Sequence, residues 1–430
     1  MTAIENKAQE AQLLVSMGEL FGVFLHIGLA SFGGPAAQIA LMHKVLVEQK
    51  KWLKEPQFLH ALSFCMLLPG PEAMQLATYA GWRLRGFAGG LLAGLLFVLP
   101  GAIVIFILAS IYAYIGDVAL LQTVFLGVKA AVLIIVVEAL LRISKKALLE
   151  KAHWALAGVA FVGLFFFSLP YPLIVLLAAV LGALFFSGPA VHEPVAIAVK
   201  ARQSLRVLAL GLFCWFAPLL LLDHWVGAGI LTELAAFFSK LAVVTFGGAY
   251  AVLAYMAQDV VELHGWLSAG EMLDGLGLAE TTPGPLILVT QFVGFLAAFR
   301  EGGLVLGLWG GLITLWVTFV PCFIWIFVGA PYIEWISTQP RLRGALQAIT
   351  ASVVGVILHL SVWFGLHVLF AQVEQVSLGP LALWMPSLSS FDWRVMLVSA
   401  VCAVLLLRLN FGVVKVLLIA AASAWLLQAL

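Results

Sequence analysis

The chain has 430 residues, of which 63% are hydrophobic and 10% charged, and 22 Lys and Arg against 21 Asp and Glu leave a formal net charge of +1. Soluble domains carry roughly 25% charged residues, so this chain cannot clothe a water-facing surface, and its balanced charge excludes a nucleic-acid partner. At about 20 apolar residues per crossing, the chain supplies roughly nine to twelve membrane elements, which predicts an all-α polytopic membrane protein. Its four cysteines, Cys65, Cys214, Cys322 and Cys402, lie in apolar runs, which argues against a disulfide framework or metal cluster. No cofactor is expected, and the N-terminal residues MTAIENKAQEAQ lack a signal-peptide layout.

In chain order, the first apolar segment, 17–43, is interrupted by Ser31-Phe32-Gly33-Gly34-Pro35. A basic loop follows at 44–55 (Lys44, Lys50, Lys51, Lys54), then a second apolar segment, 58–80, interrupted by Pro69-Gly70-Pro71-Glu72. Spans are predicted at 87–116, 118–141, 154–168, 171–187 and 207–227, with a polar linker at 188–206. The two interrupted segments then recur at an offset of 214 residues. Thr245-Phe246-Gly247-Gly248 answers Ser31 to Gly34, Pro283-Gly284-Pro285 answers Pro69 to Pro71, and Glu233, Phe238 and Trp266 answer Glu19, Phe24 and Trp52. Further spans are predicted at 303–333, 344–370, 394–408 and 411–428, with Pro321 answering Pro100. Three regions follow: a first repeat over 1–187, a linker with a connecting helix over 188–229, and a second repeat over 230–430.

Equivalent loops differ in sign. The basic loop 44–55 is answered by 259–274, which holds Asp259, Glu262, Glu271 and Asp274 without Lys or Arg. Basic loops stay in the cytoplasm, so the copies are predicted to be inverted, as in many secondary transporters. The charge pattern then requires 17–43, 58–80, 231–257 and 275–299 to be broken hairpins that return to the side they entered. An external N-terminus would instead allow full spans in the first repeat.

Breaks at membrane depth are tolerated only where they are buried in protein or face a wet cavity. The helix N-termini they create present free N–H groups that suit an anion. The alternative is that these Gly and Pro residues only kink helices or allow close packing.

The FGGP and LPGPEAMQLATYAGW stretches, repeated in degenerate form, resemble the chromate ion transporter family in its long two-domain form. The resemblance covers nearly the whole chain. It implies a multi-pass protein of the bacterial inner membrane that exports chromate, an oxyanion shaped and charged like sulfate, and so confers resistance. It also implies that the halves arose by duplication. Ala249 stands where the first repeat has Pro35, and Leu286 where it has Glu72, so the first repeat is expected to carry more of the ligand chemistry.

The candidate substrate-binding residues are Ser31, Phe32, Gly33, Gly34, Pro69, Gly70, Pro71, Gln75, Thr78, Lys129, Thr245, Gly247, Gly248, Thr282, Gly284 and Gln291, with Thr281 as a further neutral donor. Lys129, deep in an apolar run, either opposes a dianion or pairs with Glu72 or Glu138. Glu72 and Glu280 are candidates for proton coupling, or else cap helix ends or pair with arginine. Arg83 and Arg85 either gather anions at the cytoplasmic mouth or anchor the topology. The expected partners are a chromate- or sulfate-like dianion, membrane lipids and, in one arrangement, a second copy as a homodimer. An intramembrane enzyme is the alternative class, but no GxSG-type nucleophile with a placed histidine, HExxH or Walker sequence occurs.

Overall fold

The computed structural model describes residues 15–428 apart from 67, 117, 187–200, 227–228, 245, 247–248 and 334–338. Helix α1 (Met17–Ala30) starts at Ser16, whose hydroxyl accepts from the Glu19 amide. The chain reverses where Gly33 and Gly34 take φ values of 83° and 77°, a region that side chains with a Cβ disfavour. Helix α2 (Gly34–His43) has Pro35 in its first turn and runs on through a π-helical stretch, Lys44–Gln49. Lys50 then lies 3.2 Å from Glu19, so the segment ends beside its own beginning. A second hairpin follows. Helix α3 (Glu55–Cys65) leads to the proline–glycine break, and α4 (Glu72–Ile115) leads away from it. The α4 helix is itself interrupted at Arg85 and Gly86, and Arg85 Nε donates to the Val15 carbonyl at 2.5 Å. Both segments therefore return to the side they entered.

The second copy repeats this construction. Helices α5 (Ala119–Ala147), α6 (Lys151–Phe167), α7 (Tyr171–Phe185) and α8 (Ala201–Val226) lead to α9 (Ile230–Val244) and α10 (Ala249–Gln258), which runs on through a π-helical stretch, Asp259–Leu263. The Phe237 ring packs 5.3 Å from His264 and 5.4 Å from Trp266, which closes this hairpin. Helix α11 (Ala269–Thr281) opens on a capping box between Ser268 and Glu271. Past the break, a 3₁₀ turn (Leu286–Leu288) leads into α12 (Val289–Gly329). Arg300 pairs with Glu271 and donates to the Trp266 carbonyl, and Gly303 answers Gly86 with a φ of 71°.

Two antiparallel arms show that the copies are inverted. The second arm of α4 starts beside the base of the first copy. At its far end Tyr112 donates to Asp274 at 2.8 Å, and Tyr114 lies 5.2 Å from Phe299, both at the base of the second copy. The second arm of α12 runs the opposite way, from Arg300 to Phe327, whose ring lies 4.4 Å from Phe87. The bases of the two copies therefore occupy opposite ends of the molecule.

The remaining helices are α13 (Pro340–Leu369), α14 (Trp393–Ala403) and α15 (Val413–Gln428). Gly182 of α7 lies against the Gly344 carbonyl, and Gly127 of α5 against that of Ala420. Such close approaches hold helices together where lipid offers no hydrophobic driving force.

Among the described residues, five helices are long and apolar enough to cross a bilayer. The predicted spans at 154–168 and 171–187 correspond to helices of only 17 and 15 residues, about 25 and 22 Å long at 1.5 Å per residue. Two stretches lying between the predicted membrane segments carry regular structure. Residues 371–393 contain an antiparallel hairpin, β1 (Val373–Leu378) and β2 (Leu381–Pro386), turned at Gly379. Asp274, counted as a loop acid, lies within α11 and is 5% exposed.

Candidate functional site

Each proline–glycine break meets the opposite copy. The Gly284 amide donates to the Ser31 carbonyl at 2.9 Å, and Gln38 Nε2 donates to the Gly284 carbonyl at 2.7 Å. The break of the second copy is thereby stitched to the FGG break of the first. The same break lies against Gly101, next to Pro100 in α4. Its counterpart Gly70 lies against Cys322, next to Pro321 in α12. Proline inside a helix leaves the carbonyl four residues earlier without its donor, and Gly28 of α1 packs directly on the Leu96 carbonyl that Pro100 frees.

Three buried glutamines complete this junction. Gln38, Gln75 and Gln291 donate to the carbonyls of Gly284, Pro69 and Ala102 at 2.7, 2.7 and 2.9 Å. Each leaves its Oε1 without a hydrogen-bond partner.

The structure alters several expectations. The hydroxyls of Ser31, Thr78, Thr281 and Thr282 donate to Ile27, Met74, Leu278 and Ala279 carbonyls at 2.6, 3.0, 2.8 and 3.1 Å. Predicted as donors to an oxyanion, they satisfy carbonyls of their own helices in this conformation, the usual fate of hydroxyls in helices and at helix ends. Phe32 is exposed, whereas Pro69, Gly70 and Pro71 are buried. Thr245, Gly247 and Gly248 lie outside the described residues.

Lys129 pairs with neither Glu72 nor Glu138. Its Nζ lies 3.2 Å from Asp274 Oδ1, and Glu138 instead pairs with Arg142 at 3.7 Å. The reason is the inversion, which brings α11 of the second copy alongside α5. Glu72 is partly buried at the first turn of α4, where its charge suits the helix dipole. Glu280 is 4% exposed and accepts from the Tyr250 hydroxyl at 3.0 Å. Arg85 is held by the Val15 carbonyl, the geometry of an anchor, while Arg83 is exposed.

Two cavities lie beside the base of the second copy, lined by other residues than those of the breaks. A cavity of about 660 Å³ is lined by Tyr112, Lys129, Glu271, Asp274 and Arg300 among others. One of about 370 Å³ is lined by Tyr171, Lys240, Tyr255, Asp259 and His359 among others. Tyr171, on the wall of the second cavity, donates to the Phe246 carbonyl at 3.1 Å. Sequence reasoning missed Gln38, Tyr112, Tyr250 and Arg300. The available signal for Gln38 was a buried polar residue one helical turn beyond Gly34.

Among known proteins, the sequence profile of the family described as chromate transporter matches residues 18–183 and 232–425. A chromate transport protein of Pseudomonas aeruginosa is 34% identical over 349 residues, covering 80% of each chain. A probable chromate transport protein of Synechococcus elongatus is 30% identical over 342 residues, covering 80% of this chain and 83% of its own. A chromate transport protein of Cupriavidus metallidurans is 29% identical over 368 residues, covering 80% of this chain and 81% of its own. No solved structure matches the chain. Matched across both copies and built of apolar helices, the chain is a multi-pass bacterial membrane protein and belongs to the chromate transporter family.

Proposed function

We infer that this protein is a secondary transporter that exports chromate, a tetrahedral dianion, from the cytoplasm. The observation that carries this reading is the contact between Gly284 and Ser31, where breaks from oppositely facing copies meet. A junction of this kind can be exposed to either side by rocking one copy against the other, which is the logic of alternating access in inverted-repeat transporters. The named relatives are chromate transport proteins, which supports chromate as the cargo. They also favour transport over intramembrane catalysis.

The face holding Lys50, Lys51, Lys54, Arg83 and Arg85 is the cytoplasmic one, because basic loops are retained there. The two cavities then open outward. An inside-negative potential favours export at about 2.3 kcal/mol per charge per 100 mV, and about twice that for a dianion. No ATP is required.

The anion is held at the breaks by the backbone amides of Gly33, Gly34 and Gly70, the flanking prolines having no N–H to give, with Gln75, Thr78, Thr282 and Gln291 around them, while the Gly284 amide is engaged with Ser31. The hydroxyls and the glutamine amides are engaged with backbone carbonyls in the conformation described. Rotating a glutamine amide by half a turn exchanges its oxygen and nitrogen and turns donors toward a ligand. Glu72 and Glu280 are the carboxylates at this level able to carry a proton in exchange.

The test is uptake of labelled chromate by proteoliposomes holding the full chain under an imposed diffusion potential. The expected result is potential-driven accumulation that excess sulfate reduces. Absence of chromate movement with correctly folded protein would overturn the reading.

A further inference from the structure

The larger cavity contains a charged arrangement that the break chemistry does not use. Tyr112 and Lys129 reach it from α4 and α5 of the first copy. Glu271, Asp274 and Arg300 reach it from α11 and α12 of the second. Lys129 Nζ lies 3.2 Å from Asp274 Oδ1, and Tyr112 donates to Asp274 Oδ2 at 2.8 Å. The lysine side chain is 27% exposed and the aspartate side chain 7%, so the cation borders the cavity and the carboxylate sits behind it. Arg300 is paired with Glu271, and His367 and Asp392 complete the titratable wall.

The charges of the two pairs cancel. A dianion entering the cavity needs cationic donors, and each cation is already engaged. One carboxylate must therefore release its partner. Glu271 is held by the Ser268 amide and hydroxyl at 2.8 and 2.9 Å, which favours its staying ionised. Among the described residues, Asp274 has no comparable support beyond Tyr112. Deprived of Lys129, it would be an uncompensated buried charge, a costly state that protonation removes.

Building on the export reading, we propose that Lys129 and Asp274 form a proton-gated anion latch in the outer vestibule. A tetrahedral oxyanion takes Lys129 Nζ, with Tyr112 and Arg300 beside it, while the Asp274 carboxylate takes a proton from cavity water. When the anion leaves, Asp274 returns that proton to the water and re-forms the pair. Because the pair joins the two copies, its opening also frees them to move against each other. The site is separate from the breaks and from Glu72 and Glu280.

The test uses full-length protein in proteoliposomes, with wild-type chromate flux measured first and sulfate as an external competitor. Sulfate remains a dianion between about pH 6 and about pH 8, so any pH dependence of its inhibition belongs to the protein. One linked proton predicts that the inhibition constant tightens by up to about tenfold per pH unit as pH falls. Asp274→Asn is expected to flatten this dependence. Lys129→Gln is expected to weaken inhibition at least about fivefold at every pH, and the double variant should remain weak.

A latch and a structural strut differ in the double variant, because removing both partners of a buried pair is often neutral for stability. Recovery of wild-type inhibition in the double variant overturns the proposal. So does a retained pH slope in Asp274→Asn, or failure of sulfate to compete in the wild type. If Asp274→Asn does not reach the membrane, unchanged inhibition in Lys129→Gln alone overturns it. Absence of wild-type chromate flux refutes the export reading, and the latch with it, before any variant is compared.

Discussion

The Gly284 amide donates to the Ser31 carbonyl at 2.9 Å across 253 positions of sequence, from a glycine whose φ is 91°. Together with the bond from Gln38 Nε2 to the Gly284 carbonyl, this hydrogen bond joins the two inverted copies at their breaks. A Cβ at Gly284 would sit 3.2 Å from Leu288 Cδ1 in a conformation that L residues disfavour. Gly284→Ala is expected to cost about 1–2 kcal/mol and to lower the melting temperature of the purified protein. Transport should fall more than the protein's abundance in the membrane, since the junction itself is displaced. An unchanged melting temperature and flux would contradict this.

Gly28 and Gly22 occupy the same helix and separate a packing role from helix propensity. A Cβ at Gly28 would overlap the Leu96 carbonyl, whereas nothing lies within 4 Å of one at Gly22. Gly28→Ala is expected to destabilise by about 1–3 kcal/mol through overpacking. Gly22→Ala should be neutral or stabilising by up to about 1 kcal/mol, because alanine favours helix. Thermal unfolding of the two variants in one detergent checks the contrast.

Tyr250 and Glu280 offer a separate test of proton coupling at the breaks. Glu280→Gln keeps an oxygen that can accept from the Tyr250 hydroxyl while removing the titratable group. If Glu280 carries the exchanged proton, this variant should retain its fold and lose the pH dependence of maximal chromate flux, while the pH dependence of sulfate inhibition assigned to Asp274 persists. Tyr250→Phe leaves the buried carboxylate without that donor and should destabilise by about 1–3 kcal/mol. Glu72→Gln, measured alongside, assigns the coupling to one carboxylate or the other.

Sidedness follows directly from the hairpins. In a chain whose four cysteines are replaced by alanine, Lys54→Cys and Leu263→Cys place thiols at exposed positions near the bases of the first and second copies. A membrane-impermeant maleimide applied to right-side-out vesicles should label position 263 and spare position 54, and inside-out vesicles should reverse this. Labelling of both positions from the same side would refute the inversion.

Much of this architecture was legible because membrane proteins record topology in composition. Apolar runs mark the spans, and the opposite charges of 44–55 and 259–274 required broken hairpins rather than crossings. The shared offset of Ser31 with Thr245 and of Pro69 with Pro283 established the duplication. The hydroxyls of Ser31, Thr78, Thr281 and Thr282 were less legible. A threonine near a break reads equally well as a ligand donor or as a cap for its own helix, and only the backbone geometry distinguishes the two.

Sequence alone determined that the chain is helical, membrane-embedded, duplicated and interrupted by glycine and proline at matched places, because lipid forces local backbone satisfaction and local residue types reveal where it fails. Tertiary structure decided which interruptions meet, that Lys129 faces Asp274 rather than Glu72 or Glu138, and where the cavities lie. Those are contacts between residues far apart in the chain. They depend on how two upside-down copies interlock, and no local pattern of residues encodes that arrangement.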